Sequence, residues 1–205
     1  GTIPESISNL TSLVTLSLSY NQLNGSIPVG IGQLTKMTSL QFVSNRLSGT
    51  LPDSIGQLSQ LTDLSIYSNQ LSGTIPESMF DLTSLEILQP AINQFNGTLS
   101  NRVGRLTKLT TLFVNNNGLS GTIPESLSNL TSLQILQLGA NQFNGTLPNS
   151  LGNLTKLKNL SVYNNTLSGS IPESIFDLTS LQLLYAYNNQ LNGTLSNSIG
   201  RLSNL

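Results

Sequence analysis

The chain has 205 residues, no cysteine and no histidine, and its eight basic residues nearly balance nine acidic ones. This composition excludes disulfides, the usual structural zinc sites and histidine-dependent catalysis, and the lack of a basic excess argues against nucleic-acid binding. No apolar run approaches the ~20 residues that span a bilayer. We therefore expect no catalytic residue, no cofactor, no metal ion and no membrane span within this segment.

One pattern, L-x-x-L-x-L-x-x-N-x-L-x-G-x-I-P, recurs every 24 residues from Leu10 onward without a slip. Eight full repeats span 10–201, after a half-repeat at 1–9 and before the start of a ninth at 202–205. A single coil cannot bury its apolar side, but stacked coils share one core. We therefore predict one solenoid domain over 1–205. No terminal cap is evident, and we expect caps or further repeats beyond the chain, since it starts and stops within a repeat.

The "LSGTIP" and "LNGTLP" stretches resemble the plant-specific class of leucine-rich repeats, which includes receptor-kinase ectodomains and polygalacturonase-inhibiting proteins. The resemblance covers essentially the whole chain. It implies an α/β solenoid: a right-handed superhelix with a parallel β-sheet on the concave side. A second short parallel sheet is expected at the LxGxIP stretch, with short 3-10 or α turns on the convex side. The resemblance also implies a non-catalytic recognition module, extracellular or at the cell surface, that acts within a larger receptor or assembly.

Each coil should place its leucines inward, and its repeated asparagine should bond to backbone groups of its own coil and the next. In "IPES" the proline suits a first helical position, with the glutamate in the first turn. Four such glutamates recur two coils or more apart, and their roughly 10 Å separation (two strand spacings) favours this structural role over paired catalytic carboxylates. Pro90 occupies an inward strand position, where it cannot donate to a ladder. We predict a local gap in the concave sheet there.

The outward positions of the concave strands vary while the inward ones do not, as expected of a surface free to specialise. This family generally binds proteins or peptides there, and we predict a protein, peptide or cell-wall ligand. Isolated surface aromatics are ordinary, but aromatic residues, tyrosine above all, are enriched in binding hot spots. The predicted apolar anchors are Tyr67, Phe113, Tyr163, Tyr185 and Tyr187.

The LxGxIP stretch carries a second series of outward positions, all small, polar and uncharged. If these short strands pair in parallel, we expect a flat lattice with ~4.8 Å between coils and ~6.7 Å along each strand. Such an array resembles ice-binding solenoids, so ice binding is the alternative function, against the simpler explanation that near-identical repeats copy every surface residue. The residues of this threonine array are Thr50, Thr74, Thr98, Thr122, Thr146 and Thr194.

N-x-S/T sequons, which mark N-glycosylation in secreted proteins, occur nine times, several as by-products of the repeat. Glycans on the LxGxIP stretch would disfavour ice binding, whereas glycans near Tyr163 would crowd the concave aromatic residues. The sequons lie at Asn9, Asn24, Asn96, Asn129, Asn144, Asn153, Asn159, Asn164 and Asn192.

Overall fold

A computed structural model describes residues 1–205, which form a solenoid of stacked coils. A full coil contributes one strand to an eight-stranded parallel sheet, a second strand to a parallel ribbon, and one five-residue 3-10 helix. This is the predicted leucine-rich-repeat architecture, and its convex turns are 3-10 throughout, without α-helix. None of the helices has the length and apolar character needed to cross a bilayer.

Strands are numbered in chain order, odd numbers for the concave sheet and even numbers for the second sheet. The concave strands are β1 (Thr15–Ser17), β3 (Ser39–Gln41), β5 (Asp63–Ser65), β7 (Ile87–Gln89), β9 (Thr111–Phe113), β11 (Ile135–Gln137), β13 (Asn159–Ser161) and β15 (Leu183–Tyr185). The others are β2 (Asn24–Gly25), β4 (Arg46–Thr50), β6 (Gln70–Thr74), β8 (Gln94–Thr98), β10 (Gly118–Thr122), β12 (Gln142–Asn144), β14 (Ser168–Gly169) and β16 (Gln190–Leu191). The 3-10 helices are Glu5–Asn9, Val29–Gln33, Asp53–Gln57, Glu77–Asp81, Asn101–Arg105, Glu125–Asn129, Asn149–Asn153, Glu173–Asp177 and Asn197–Arg201.

The concave sheet pairs residues one repeat apart, so equivalent side chains form straight columns: Thr15 lies opposite Ser39 and Ser39 opposite Asp63. The gap predicted at Pro90 is confirmed. β7 and β9 pair at two positions where the other neighbours pair at three, because Pro90 has no N–H to donate. The sheet nevertheless continues through this point in the order β1-β3-β5-β7-β9-β11-β13-β15.

The second sheet has a different register, and here the predicted lattice is wrong. Thr50 lies opposite Ser72, 22 residues on, two fewer than the 24-residue repeat. Thr50 and Thr74 are therefore offset by two residues along the strand, which places them about 8 Å apart instead of the ~4.8 Å of directly opposed residues. The sheet also narrows between its first six strands (β2 to β12) and its last two (β14 and β16), where one bridge, between Thr146 and Ser168, and backbone hydrogen bonds from Thr166 to Phe143 and from Ser168 to Gly145 join the coils.

The core is one continuous cluster of 48 buried hydrophobic residues running through all the coils. The repeated asparagine joins neighbouring coils within it. Asn141 accepts a hydrogen bond from the Leu119 N–H at 3.0 Å and donates to the carbonyl of Val114 at 3.0 Å, both in the preceding coil. Its amide also donates to Leu138 and Gly139 of its own coil at 3.1 and 3.3 Å. The prediction of bonding within the coil is confirmed, but the partner coil is the preceding one, not the next.

On the convex side, proline immediately precedes each 3-10 helix that begins with glutamate, so it does not occupy the first helical position as predicted. The glutamates bond to serines of the following coil: Glu77 accepts from Ser100 at 2.9 Å, and Glu125 accepts from Ser150. Hydrogen bonds donated by serine hydroxyls of the last coil likewise lower the pKa of Glu173. These carboxylates link successive coils.

Candidate ligand-binding surface

The concave sheet gathers the aromatic residues that are not in the core. Five of the six phenylalanines are fully buried, and Phe113 alone stands on an outward column. Tyr185 follows in the same column, and Tyr67, Tyr163 and Tyr187 share the neighbouring one. All five predicted anchors thus lie on one face, but they fall into two groups separated along the solenoid.

The first group, the C-terminal tyrosine cluster, consists of Tyr163, Tyr185 and Tyr187. The rings of Tyr163 and Tyr187 stack with centroids 5.1 Å apart, and Tyr185 meets Tyr187 edge-on at 6.0 Å. Tyr185 and Tyr187 are about half exposed, at 48% and 54%. Beside them, the Ser161 side chain is completely buried and its hydroxyl has no hydrogen-bond partner. Stacked rings with open faces form a rigid apolar platform.

The second group consists of Tyr67 and Phe113, and Tyr67 makes a contact that the sequence did not predict. Tyr20 and Tyr67, two coils apart, approach with their hydroxyls 3.4 Å from each other, and Val43 of the intervening coil is buried. This hydrogen bond, together with partial burial, raises the pKa of Tyr67. Tyr20 has a left-handed φ of 58°, a conformation shared by the residue before the repeated asparagine in all eight coils. The outward positions of the concave strands form three columns, equivalent to Thr15, Ser17 and Ser19, and the position of Tyr20 is a fourth variable column that the sequence prediction left out.

The central groove lies within the second group, between Tyr67 and Phe113 in the middle of the concave sheet. It has a volume of about 310 Å³ and is lined by Tyr67, Gln89, Ala91, Ile92, Phe113, Asn115 and Gln137. Its apolar members come from three successive coils, and its rim consists of side-chain amides. Ala91 is nearly inaccessible at 2% exposure, which makes it the floor. Ile92 also escaped the sequence prediction, because it too lies in the fourth column.

The concave columns carry almost no charge. Asp63 is their one ionisable residue apart from the tyrosines, and its carboxylate is already engaged. It accepts hydrogen bonds from the hydroxyls of Ser39 and Ser65 at 3.1 and 2.6 Å and from the Gln41 amide at 2.7 Å. The face therefore offers apolar surface and neutral amides to a ligand, not a free charge.

The threonine array lies along the second sheet and is exposed to solvent: Thr50, Thr74, Thr98, Thr122, Thr146 and Thr194. Most of these threonines pack a methyl group against a glycine of the next coil. A β-carbon built on Gly73 would lie 2.9 Å from Thr50 Cγ2, and one on Gly121 would lie 3.1 Å from Thr98 Cγ2. The threonine and glycine columns thus fit each other, which gives the threonines a structural reason to recur.

The nine sequons are distributed over three faces. Eight of their asparagines are exposed: Asn9, Asn24, Asn96, Asn129, Asn144, Asn153, Asn164 and Asn192. Asn159 is half-buried in β13. On the concave face, sequons occur only beside the C-terminal tyrosine cluster, at Asn159 and Asn164, and none lies beside the central groove.

No group of three or more His, Cys, Asp or Glu side chains is placed to hold a metal ion.

Comparison with known proteins agrees with this architecture. A TDR receptor crystal structure superposes with a TM-score of 0.97 at 35% identity, over 100% of this chain and 36% of that one. The Arabidopsis receptor kinase HAESA, in complex with the peptide hormone IDA and the co-receptor SERK1, gives 0.94 at 29% identity, over 100% and 38%. A plant ice-binding protein gives 0.75 at 25% identity, over 96% and 71%. The chain thus spans little more than a third of the receptor chains that it matches.

A comparison with curated protein sequences gave no significant match. The Leucine Rich Repeat family model, in contrast, matches seven segments that together cover most of the chain. These are residues 12–34, 36–58, 60–82, 108–130, 132–154, 156–178 and 180–202. The repeats and the structural relatives agree, and the chain belongs to the leucine-rich-repeat family, in its plant type.

Proposed function

We propose that the chain is a non-catalytic, extracellular or cell-surface recognition module that binds a protein or peptide ligand on its concave sheet. The 205 residues act as one solenoid unit in this proposal. The observation that carries it is the concentration of all five tyrosines and the one outward phenylalanine on a face whose one carboxylate, Asp63, is already hydrogen-bonded. Aromatic side chains dominate binding hot spots because they bury a large area at low entropic cost. A cell-wall carbohydrate would use the same open rings.

The structural relatives support a peptide over the other ligands. HAESA, whose structure contains the peptide hormone IDA and a co-receptor, superposes on the whole of this chain through 38% of its own length. By analogy, this chain would bind a peptide and act within a larger receptor assembly. Fold similarity alone does not establish function, so the proposal depends on the aromatic residues of this chain.

The test is to select peptides from a displayed random library on the unglycosylated chain and to measure their affinity for the variant Tyr163→Ala/Tyr185→Ala/Tyr187→Ala. Loss of one hot-spot residue costs about 2 kcal/mol or more, so we expect binding to weaken at least tenfold. The matched control is Thr74→Tyr, which changes an exposed residue of the second sheet. If no peptide is selected, or if the triple variant binds like the wild type, the proposal is wrong.

Ice binding through the threonine array is the second candidate, and the likeness to a plant ice-binding protein supports it. The staggered register and the reduction of strand pairing to a single bridge between β12 and β14 weigh against a regular lattice. Thermal hysteresis and ice-recrystallisation assays on the unglycosylated chain test this candidate. It predicts activity that Thr122→Tyr abolishes while the circular dichroism spectrum is unchanged. Inactive wild-type protein would eliminate it, and activity retained in the variant would exclude this face.

A further inference from the structure

We infer that the ligand of the concave sheet is an extended, uncharged peptide segment with two apolar side chains about four residues apart. One would occupy the central groove and the other the C-terminal tyrosine cluster. This inference rests on the proposed function, and it specifies which part of the sheet binds and what the ligand must carry.

The central groove has the size and lining of a subsite for a single side chain. Its volume of about 310 Å³ is at the lower end of the roughly 300–1,000 Å³ of ligand pockets. Phe113 and Tyr67 form apolar walls, and Ala91 forms the floor. The same column carries tyrosine at 67, 163 and 187. A side chain of that size at position 91 would fill the groove, and the small alanine leaves it open.

Ile92 is the clearest sign that this groove serves a purpose beyond folding. It has a φ of 52°, a conformation in which a β-branched residue is an outlier. Other coils place Asn116, Asn164 or Asn188 at this position, and asparagine tolerates the left-handed region well. The backbone therefore does not require isoleucine here. The side chain is 47% exposed at the groove edge, so a strained position is used to present apolar surface to the solvent.

The charge distribution specifies a neutral ligand. The groove lining contains no carboxylate, ammonium or guanidinium group, and the nearby Asp63 carboxylate is bonded to three donors. A charged ligand side chain placed here would lose its hydration without gaining a partner. The rim amides of Gln89, Asn115 and Gln137 can instead donate to and accept from a peptide main chain.

The register of the sheet gives the separation between the two anchors. Phe113 lies opposite Gln137, Gln137 opposite Ser161, and Ser161 opposite Tyr185. Three strand spacings of ~4.8 Å place the two aromatic residues ~14 Å apart. An extended chain advances ~3.3–3.6 Å per residue, so a segment running across the strands covers this distance in about four residues. The unpartnered Ser161 hydroxyl lies beneath this path.

The experiment uses peptides selected from a random 12-residue display library on the unglycosylated wild-type chain. We expect the selected sequences to be enriched in pairs of apolar residues spaced three to five apart. We also expect their affinity to fall at least tenfold for Phe113→Ser and for Ala91→Gln, which fills the groove without removing a contact. Val29→Ser is the matched control, because Val29 is an exposed apolar residue on the convex side, at 68% exposure. Its affinity should stay within twofold of wild type.

The outcomes separate this inference from the proposed function. Peptides that lose affinity for the triple tyrosine variant but not for Phe113→Ser or Ala91→Gln would overturn the two-anchor inference and leave the proposed function standing. Peptides without a preferred apolar spacing would also overturn it. If neither the tyrosine variant nor the groove variants weaken binding, both statements are wrong. Circular dichroism and thermal melts of each variant establish that it is folded before binding is measured.

Discussion

The asparagine ladder should contribute more to stability than any other polar element of the solenoid, and Asn141→Ala tests this. The side chain makes four hydrogen bonds, of 3.0, 3.0, 3.1 and 3.3 Å, two of them to the preceding coil. Its removal leaves the Leu119 N–H without a partner in the core, which costs ~1–3 kcal/mol, and each lost carbonyl bond adds ~0.5–1.5 kcal/mol. We expect the free energy of unfolding to fall by about 3–5 kcal/mol.

The matched control is Asn21→Ala at the same repeat position in the first coil. Asn21 is exposed and makes only two bonds, both at 3.1 Å and both within its own coil. Its loss should cost ~1 kcal/mol or less. For a chain of this size, 1 kcal/mol shifts Tm by ~2–4 °C, so the two variants should differ by several degrees or more.

Urea unfolding followed by circular dichroism measures the two free energies, and hydrogen exchange measures protection of the Leu119 amide. We expect that amide to exchange much faster in Asn141→Ala. Equal destabilisation by the two substitutions, or an unchanged Leu119 exchange rate, would refute the reasoning that inter-coil bonds carry the effect.

Three further predictions concern backbone, pH and glycosylation. Gly121→Ala should destabilise the fold by ~1–2 kcal/mol in a chemical denaturation experiment, because Gly121 has a φ of 77°. The control Gly200→Ala, at a position with open space around it, should be neutral. Equal destabilisation by the two substitutions would contradict this. The Tyr20 hydroxyl raises the pKa of Tyr67 in the folded state. The contribution of this pair to stability should therefore be intact below pH ~10 and lost as the pH rises through the folded pKa. In thermal melts at alkaline pH, Tyr20→Phe should not show this part of the loss of stability with rising pH. In protein from a glycosylating host, Asn164→Gln should strengthen binding of selected peptides, and the same substitution in unglycosylated protein should not.

Much of the architecture can be predicted from the sequence, because the repeat length gives the number of residues per coil and the leucine spacing gives the inward positions. The Pro90 gap followed from the same logic, since a missing N–H is a property of the residue itself. The stagger of the second sheet did not, because register depends on strand tilt, and a repeat length does not encode tilt. The roles of Tyr20 and Ile92 were missed for a similar reason: their left-handed backbone turns them toward the concave face.

The most direct test of the account is a crystal structure of the chain with a selected peptide. We predict an extended peptide that crosses the concave sheet from β9 to β15, with one apolar side chain against Phe113 in the central groove and another against Tyr185. A peptide bound to the second sheet or to the convex 3-10 helices, with the concave columns empty, would contradict it.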